Sequence, residues 1–357
     1  MKEALKKKKI LYLCGDISTI GGIQKYNSDL ISSVSNKMFE LKIIQREVGG
    51  LAKKIKFFSS FLYEIFKFRP NHIFCSHINF SPLLLVPYIL TKTSFSIIFY
   101  GIDALEIKNL FHKIIIKLSK KIVVISDYTK SIVLKQFPFV ESKLFLLKSS
   151  VNPDNFVLYP SKLKLKKKFN LEKKETILTL SRLATHEDKG QHRVLYSLEK
   201  VLAVYPNARY IIAGPGEDER VDEFLINNPH ISNHVIRFNS VSEEEKNVLY
   251  GMCDAFILPS KTEGFGIVFI EALACGAVVI APNNYGCPEA LDNGRLGIVV
   301  DPDDTSKISE AIISAINKSK NMSLSDRLLL RNKTIKKFGK SKWNREVSQF
   351  LTQVSET

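Results

Sequence analysis

The chain has 357 residues, 45% of them hydrophobic and 25% charged, which excludes a disordered chain and is too long for one ordinary core, so two domains are expected. Its formal charge of +16 is lopsided: residues 1–175 carry 31 Lys and Arg against 13 Asp and Glu, and residues 176–357 carry 21 against 23. A basic first half points to an anionic partner surface, nucleic acid or the inner face of a membrane, whereas a merely lysine-rich composition would raise both halves.

The first expected strand is Lys9–Cys14 (KILYLC), followed by a loop to Gly21-Gly22 and a helix through about Ser35. A short strand is expected near Phe39–Gln45. Residues 51–69 predict a helix, with Leu51, Ile55, Phe58, Leu62 and Ile65 at helical spacing and Lys53, Lys54, Lys56 and Lys67 interleaved. Strands follow at His72–Cys75, Ser96–Tyr100 and Lys121–Ile125, with helices between them, including Leu110–Leu118. Residues 149–173 break the rhythm with Pro153, Pro160 and the lysine run 162–168, and predict a linker.

The alternation then restarts. Strands are expected at Thr176–Leu180, Arg209–Ala213, His234–Phe238, Ala255–Leu258, Val278–Ala281 and Gly297–Val300, with helices at about 190–204, 217–227, 242–250, 266–274, 286–292 and 305–317, and a polar, largely helical segment at 322–355. Strands alternating with helices imply parallel sheets with right-handed crossovers. The expected fold class is therefore α/β, with two Rossmann-like doubly wound domains, residues 1–155 and 156–335, and a last helix, 336–357, that can cross back to the first. Ligands in such sheets bind at the carboxyl ends of the strands, so a cleft facing both sheets is expected.

Cys14, Cys75, Cys253, Cys275 and Cys287 form no CxxC pair and are odd in number, which suits buried thiols in a reducing compartment and argues against a zinc site. No segment reaches the ~18 apolar residues of a membrane span; the best, Leu83–Leu90, is short and contains Pro87. The N-terminal lysines are not followed by the apolar stretch of a secretory signal. A cytoplasmic protein is expected, held peripherally at the inner face of the membrane if its basic half has a lipid partner.

Four segments carry chemistry. Pro259–Gly276 (PSKTEGFGIVFIEALACG) reads as a strand end, a Gly-containing loop and a helix beginning near Gly266. Gly264 and Gly266 allow a ligand close, their N–H groups at a helix N-terminus favour anions, and Glu263 and Glu271 can accept hydrogen bonds from sugar or ribose hydroxyls. Ser181–Gly190 (SRLATHEDKG) follows the first strand of the second half, and Arg182 and Lys189 there can clamp a diphosphate. Gly21-Gly22 opens the first long helix, and Gly214-Pro215-Gly216 follows the strand RYIIA; either is a phosphate or nucleotide turn, or a plain tight turn. GxGxxG is absent, which weakens a dehydrogenase reading. His77 and Asp103 are polar residues that could contact an acceptor. Asp301, Asp303 and Asp304 mimic a metal-binding DxD but suit a Pro-containing turn.

Together these residues resemble the family 4 retaining glycosyltransferases of GT-B fold, also described as glycosyl transferases group 1. The similarity covers nearly the whole chain and is most specific in residues 176–302. EGFGIVFIEALACG resembles the family's paired-glutamate motif. The resemblance implies that Glu263 and the amides of Gly264, Phe265 and Gly266 hold the transferred sugar, and that Glu271 holds the nucleotide ribose. It places Arg182 and Lys189 on the donor phosphates and Gly21 and Gly22 in an N-terminal phosphate loop. YGID aligns with a motif that usually begins His-Gly, so Tyr100 stands where that histidine would be. VISDYTK contributes Ser126, and RFNSVS at Arg237–Ser242 lacks a glycine usual before the base-binding turn.

The implied reaction is metal-independent retaining transfer of a hexose-type sugar from a UDP- or GDP-linked donor, with Arg182, Lys189, Glu263 and Asp103 catalytic and no further cofactor. The implied acceptor, a glycan or lipid-linked glycan of surface polysaccharide or glycoconjugate assembly, would meet His77, Tyr100, Asp103 and Ser126. Retention in such enzymes is thought to need no protein nucleophile, the leaving phosphate taking the acceptor proton. The basic, apolar stretches 51–69 and 105–121 suit interfacial helices. Alternatives are another GT-B enzyme, such as a sugar-nucleotide epimerase or a phosphorylase, and a non-catalytic partner subunit of the same fold. A nucleic-acid binder would need a recognition helix, zinc pattern or aromatic RNA motif, and none is evident.

Overall fold

A computed structural model describes residues 7–19, 21–34, 38–105, 107 and 109–355. The chain divides into two compact units: residues up to Ser149 together with those from Ser341 onward, and Ser150–Lys340.

In the first unit six parallel strands form one sheet: β1 (Lys8–Gly15), β2 (Phe39–Arg46), β3 (His72–Cys75), β4 (Ser94–Phe99), β5 (Lys121–Val124) and β6 (Leu144–Leu146), in the order β2-β1-β3-β4-β5-β6. Ile10 to Cys14 are all buried, as a parallel strand covered on both faces requires. One face packs Phe57, Phe61 and Ile65 of the Leu51–Lys67 helix and Ile115 and Ile116 of the Leu110–Leu118 helix on Leu11, Leu13, Ile73, Ile97 and Ile122. The other face receives the C-terminal helix Lys340–Ser355, whose Trp343 meets Tyr26 edge-on at 5.0 Å and whose Phe350 lies 5.2 Å from Phe74.

The second unit holds β7 (Thr176–Leu180), β8 (Leu183–Ala184), β9 (Arg209–Ala213), β10 (Gly216–Glu217), β11 (Val235–Phe238), β12 (Ala255–Ile257), β13 (Val279–Pro282) and β14 (Ile298–Val300). Six of these form a parallel sheet in the order β11-β9-β7-β12-β13-β14, and β8 pairs with β10 beside it. Helices cover both faces, so the unit is doubly wound. On one, Val194, Leu198 and Val201 of the Gln191–Val204 helix pack with Ile308, Ile312 and Ile316 of the Thr305–Asn321 helix over Ile177, Ile212 and Ile257. On the other, Phe256 of β12 meets Tyr250 at 5.3 Å and Phe269 at 6.1 Å. The strand order reverses between β7 and β12, the point at which such sheets open a crevice beyond their carboxyl ends. The expected fold class, two Rossmann-like α/β units of GT-B type, is the one observed.

The strands lie within two residues of their expected bounds, with β6 and the short β8 and β10 unforeseen. The first helix ends at Ser33, and Ser35 lies outside the described residues. The first unit stops at Ser149 and the second at Lys340, six residues before and five after the expected boundaries.

The expected linker is wrong. Lys162–Lys167 is a helix, and two of its lysines, Lys162 and Lys166, are structural. Lys162 and Lys166, one turn apart, reach Asp254, Lys166 Nζ at 2.5 Å from Oδ2 and Lys162 Nζ at 3.7 Å from Oδ1. Lys162 also donates to the Cys253 carbonyl and Ser319 Oγ, and Lys166 to the Lys174 carbonyl. Phe156 is buried before this helix. A lysine run reads as a solvated segment, but here every fourth lysine neutralises a buried carboxylate.

Burial alone would raise the Asp254 pKa, but Lys162, Lys166 and the Thr176 amide hold it below the ordinary value. Asp254→Ala would strand two buried ammonium groups and cost about 3–5 kcal/mol in denaturant unfolding. Because this folded-state pKa is depressed, the wild-type contribution is full at neutral pH and lost as pH falls through it. An Asp254→Ala protein with wild-type stability at pH 7 would refute the assignment.

Candidate functional site

The loops leaving β7 and β12, on either side of the switch point, are stitched together. Gly190 has φ +84°, and a Cβ there would lie 2.2 Å from the Pro259 carbonyl oxygen, so only glycine fits. The Asp188 carbonyl accepts from the Lys261 amide at 2.7 Å and the Ser260 hydroxyl at 3.1 Å. The Asp188 carboxylate grips buried Arg193 through two bonds of 2.7 and 2.5 Å, and Arg193 also donates to the Pro259 carbonyl. Arg193 therefore outweighs burial and keeps the Asp188 pKa low.

Between these anchors, Lys189 Nζ lies 2.6 Å from Glu263 Oε1 and 3.5 Å from Glu187 Oε2. Burial would lower the Lys189 pKa, but Glu263 and Glu187 outweigh it and the ammonium is held charged. Arg182, half exposed, pairs with the other oxygen of Glu187. Two cations and two carboxylates thus form one chain of ion pairs, Arg182–Glu187–Lys189–Glu263.

Gly266 has φ +84° and caps the Ile267–Ala274 helix, where a Cβ would meet the Phe269 ring at 2.3 Å. Glu263 and Gly264 are half-buried in the bend before it, and Phe265 is buried against Phe338 at 5.9 Å. Glu271, buried on that helix, accepts from the Tyr250 hydroxyl at 3.0 Å and lies 3.6 Å from Lys246 Nζ. The Gly214-Pro215-Gly216 turn is sewn to the β7 loop. Gly214 (φ +137°) and Gly216 (φ +99°) place their α-carbons where a Cβ would strike the Ser181 and Leu183 carbonyls, and Leu183 donates to Pro215 at 2.8 Å. These glycines have a packing reason of their own. Asp301, Asp303 and Asp304 form the expected turn: Asp304 caps the Thr305–Asn321 helix and Asp303 pairs with Lys261. Among the described residues no three His, Cys, Asp or Glu side chains are grouped to hold a metal. All five cysteines are buried and free, and burial pushes the thiols of Cys14, Cys75 and Cys253 up to about 12.

In the first unit the candidates each follow a strand's carboxyl end. Gly21 and Gly22 open the Gly22–Ser33 helix after β1. His77, after β3, accepts from the Asn79 amide at 3.1 Å, and burial holds its pKa low. Asp103, after β4, accepts from the Tyr100 amide at 2.8 Å through Oδ1, while Oδ2 is buried without a partner. Two candidates have their hydroxyls engaged internally. Tyr100 is buried and donates to Asn27 Oδ1 at 2.7 Å, which also accepts from Tyr12. Ser126 is buried and caps the Asp127–Gln136 helix. Both act here as supports.

Sequence reasoning passed over Glu187, Asp188 and Arg193, although the first two directly precede Lys189 in a segment already singled out. It also passed over Tyr250 and Lys246, which no local pattern ties to Glu271.

The second unit is thus a doubly wound α/β domain with a charged loop pair at its switch point. Residues 161–333 match the family model described as glycosyl transferases group 1. A GDP-mannose-dependent α-(1-6)-phosphatidylinositol monomannoside mannosyltransferase of Mycobacterium tuberculosis is 30% identical over 196 residues, 53% of this chain and 50% of that protein. An O-antigen chain mannosyltransferase B of Escherichia coli is 26% identical over 202 residues, 56% and 52% of the two chains. The chain spans about half the length of these curated relatives. The structure of Anabaena HepE in complex with UDP-glucose matches over 96% of this chain and 99% of its own, with a TM-score of 0.77 at 15% identity, a likeness of fold.

Burial lifts the Asp103 carboxyl to about 7 despite four backbone amides that favour its charged form. A raised folded-state pKa favours the protonated form, so this group stabilises the unit fully below about pH 4 and ceases to do so as pH rises through 7. Asp103→Asn should flatten that part of the pH–stability profile. An unchanged slope between pH 5 and 8 would show that Asp103 titrates normally.

Proposed function

We propose that this protein transfers a hexose-type sugar from a nucleoside-diphosphate donor to a glycan or lipid-linked glycan acceptor, with retention of anomeric configuration and without a metal. The observation that carries this reading is the ion-pair chain at the switch point of the second unit: Arg182 and Lys189 on one loop, Glu263 on the other, 2.6 Å from Lys189. Lys189 and Arg182 would neutralise the diphosphate, while Glu263 and the amides of Gly264, Phe265 and Gly266 would receive the sugar. Glu271, oriented by Tyr250, would bind the ribose hydroxyls. Donors named for relatives and neighbours, GDP-mannose and UDP-glucose, are of this class.

As the bond from the anomeric carbon to the phosphate oxygen breaks, positive charge grows on the sugar and negative charge on the diphosphate. Fixed cations aimed at that oxygen stabilise the transition state more than the bound donor. The acceptor oxygen bonds to the same face of the sugar, and its proton passes to the leaving phosphate. Asp103, with one carboxylate oxygen unpartnered, would accept a hydrogen bond from the acceptor, beside His77.

The first unit supports an acceptor at an anionic membrane, a peripheral site on its inner face. Part of the apolar stripe on the Leu51–Lys67 helix is exposed: Leu51 at 72%, Ile55 at 59% and Phe58 at 43%, among exposed Lys53, Lys54 and Lys56. Leu110, Phe111 and Ile114 are exposed on the Leu110–Leu118 helix beside Lys113 and Lys117. Apolar side chains ringed by lysines suit an anionic lipid surface. Residues 106 and 108 of the expected basic stretch lie outside the described residues. Among the described residues no helix is long and apolar enough to cross a membrane.

Arg182→Ala and Lys189→Ala should each lower turnover on the order of 10²–10³-fold while circular dichroism shows the protein still folded. Near wild-type turnover in both would refute the donor assignment. The donor base is read by thermal shift against UDP and GDP. Flotation with vesicles containing anionic lipid should capture the protein and lose it at high salt, and Leu51→Glu with Ile55→Glu should weaken capture. Equal behaviour with neutral vesicles would remove the membrane from the proposal.

A further inference from the structure

The two cations assigned to the donor diphosphate are already occupied. Glu187 lies between them, one carboxylate oxygen on Arg182 and the other 3.5 Å from Lys189 Nζ. The Glu187 backbone is fixed separately: its amide donates to the Ala184 carbonyl at 2.9 Å, and its carbonyl accepts from Arg220 at 2.9 Å. The side chain is therefore free to leave the cations without unfolding the loop. Arg182 is 51% exposed and neighbouring His186 84%, so water lies next to the pair.

We propose that Glu187 is an internal competitor for the diphosphate, a specificity-determining carboxylate that holds Arg182 and Lys189 when no donor is bound and must swing aside when one enters. This rests on the assignment of Arg182 and Lys189 to the donor phosphates. With Glu187 and Glu263 in place, the four-residue chain carries no net charge. A diphosphate arriving beside Glu187 would meet a like charge at the distance where the carboxylate now sits. Like charges that close repel, so the ligand and Glu187 cannot share the cations. Every diphosphate then binds more weakly by the free energy needed to open the Glu187 pairs. The effect falls on the phosphates alone, because Glu187 touches nothing assigned to the sugar or the ribose. It bears most on the product: the released nucleoside diphosphate loses its sugar contacts, and Glu187 can reclaim the cations as it departs.

The test is calorimetric titration of the full chain, wild type, Glu187→Gln and Lys189→Ala, with UDP, GDP, uridine and guanosine. Glutamine keeps the shape and removes the charge, and Glu187→Ala is a second variant should the amide form new bonds. For the diphosphate that binds wild type, Glu187→Gln and Glu187→Ala should bind roughly three- to tenfold tighter, the worth of one or two partly exposed ion pairs. The inhibition constant of that diphosphate as product should fall in parallel. The matching nucleoside should bind all variants equally, and the gain should shrink at about 0.5 M salt. If both Glu187 variants bind the diphosphate as weakly as wild type or more weakly, while Lys189→Ala loses it, Glu187 orients the cations and the inference fails. If Lys189→Ala binds the diphosphate like wild type, the phosphate assignment itself fails, and the inference with it.

Discussion

The candidate donor site depends on one close approach, the backbone of Gly190 against the carbonyl of Pro259. A parallel sheet brings the carboxyl ends of β7 and β12 side by side, but adjacency alone does not fix two loops. Here the approach leaves no room for a Cβ, and Asp188 closes the seam from the other side through the Lys261 amide and the Ser260 hydroxyl. Arg193 spans both loops at once, binding the Asp188 carboxylate and the Pro259 carbonyl. A buried ion pair of this kind stabilises only when its remaining donors are satisfied, and the second contact does that. Lys189 stands one residue from each anchor, so its ammonium is aimed before any ligand arrives.

The same seam explains why the charges of the site lie so close. Cations fixed in a partly buried loop would lose hydration without return unless carboxylates met them. Glu263 and Glu187 do so, and burial then strengthens the pairs. The unit is near neutral in total, and its charge is organised locally. The first unit does the opposite, scattering lysines over exposed faces among apolar side chains. Charge there acts over a surface and is screened by salt, whereas charge in the second unit acts at chosen atoms.

Much of this was legible in the sequence because strand runs in a doubly wound sheet are continuous and apolar. His72–Cys75, Thr176–Leu180 and Arg209–Ala213 were expected at the bounds observed. What was illegible involved pairs distant in the chain. Lys162 and Lys166 read as a solvated run because the carboxylate they neutralise, Asp254, is some ninety residues on. Leu51, Ile55 and Phe58 have helical spacing, but spacing cannot say which side of a helix the sheet takes, and Phe57, Phe61 and Ile65 take it. Tyr100 and Ser126 were singled out by motif position, yet their hydroxyls are spent on Asn27 and on a helix cap. Polar residues at strand ends serve the fold as readily as a ligand, and only their partners distinguish the two.

Glu271 shows how far that distinction goes. Its carboxylate is buried, where an ionised group is stable only if its oxygens are met. Tyr250 meets one from the helix that precedes β12, and Phe256 of β12 packs on the Tyr250 ring. The same aromatic contacts that bury the sheet therefore set the direction of the carboxylate proposed for the ribose. A group oriented by the core loses little freedom when a ligand binds it, so the ordering cost falls on folding and not on recognition. By contrast, Asp103 in the first unit keeps one oxygen unpartnered. The site proposed for the donor is preorganised by its own core, while the site proposed for the acceptor leaves a hydrogen-bonding valence open, as the proposed transfer to an acceptor that completes its site would require.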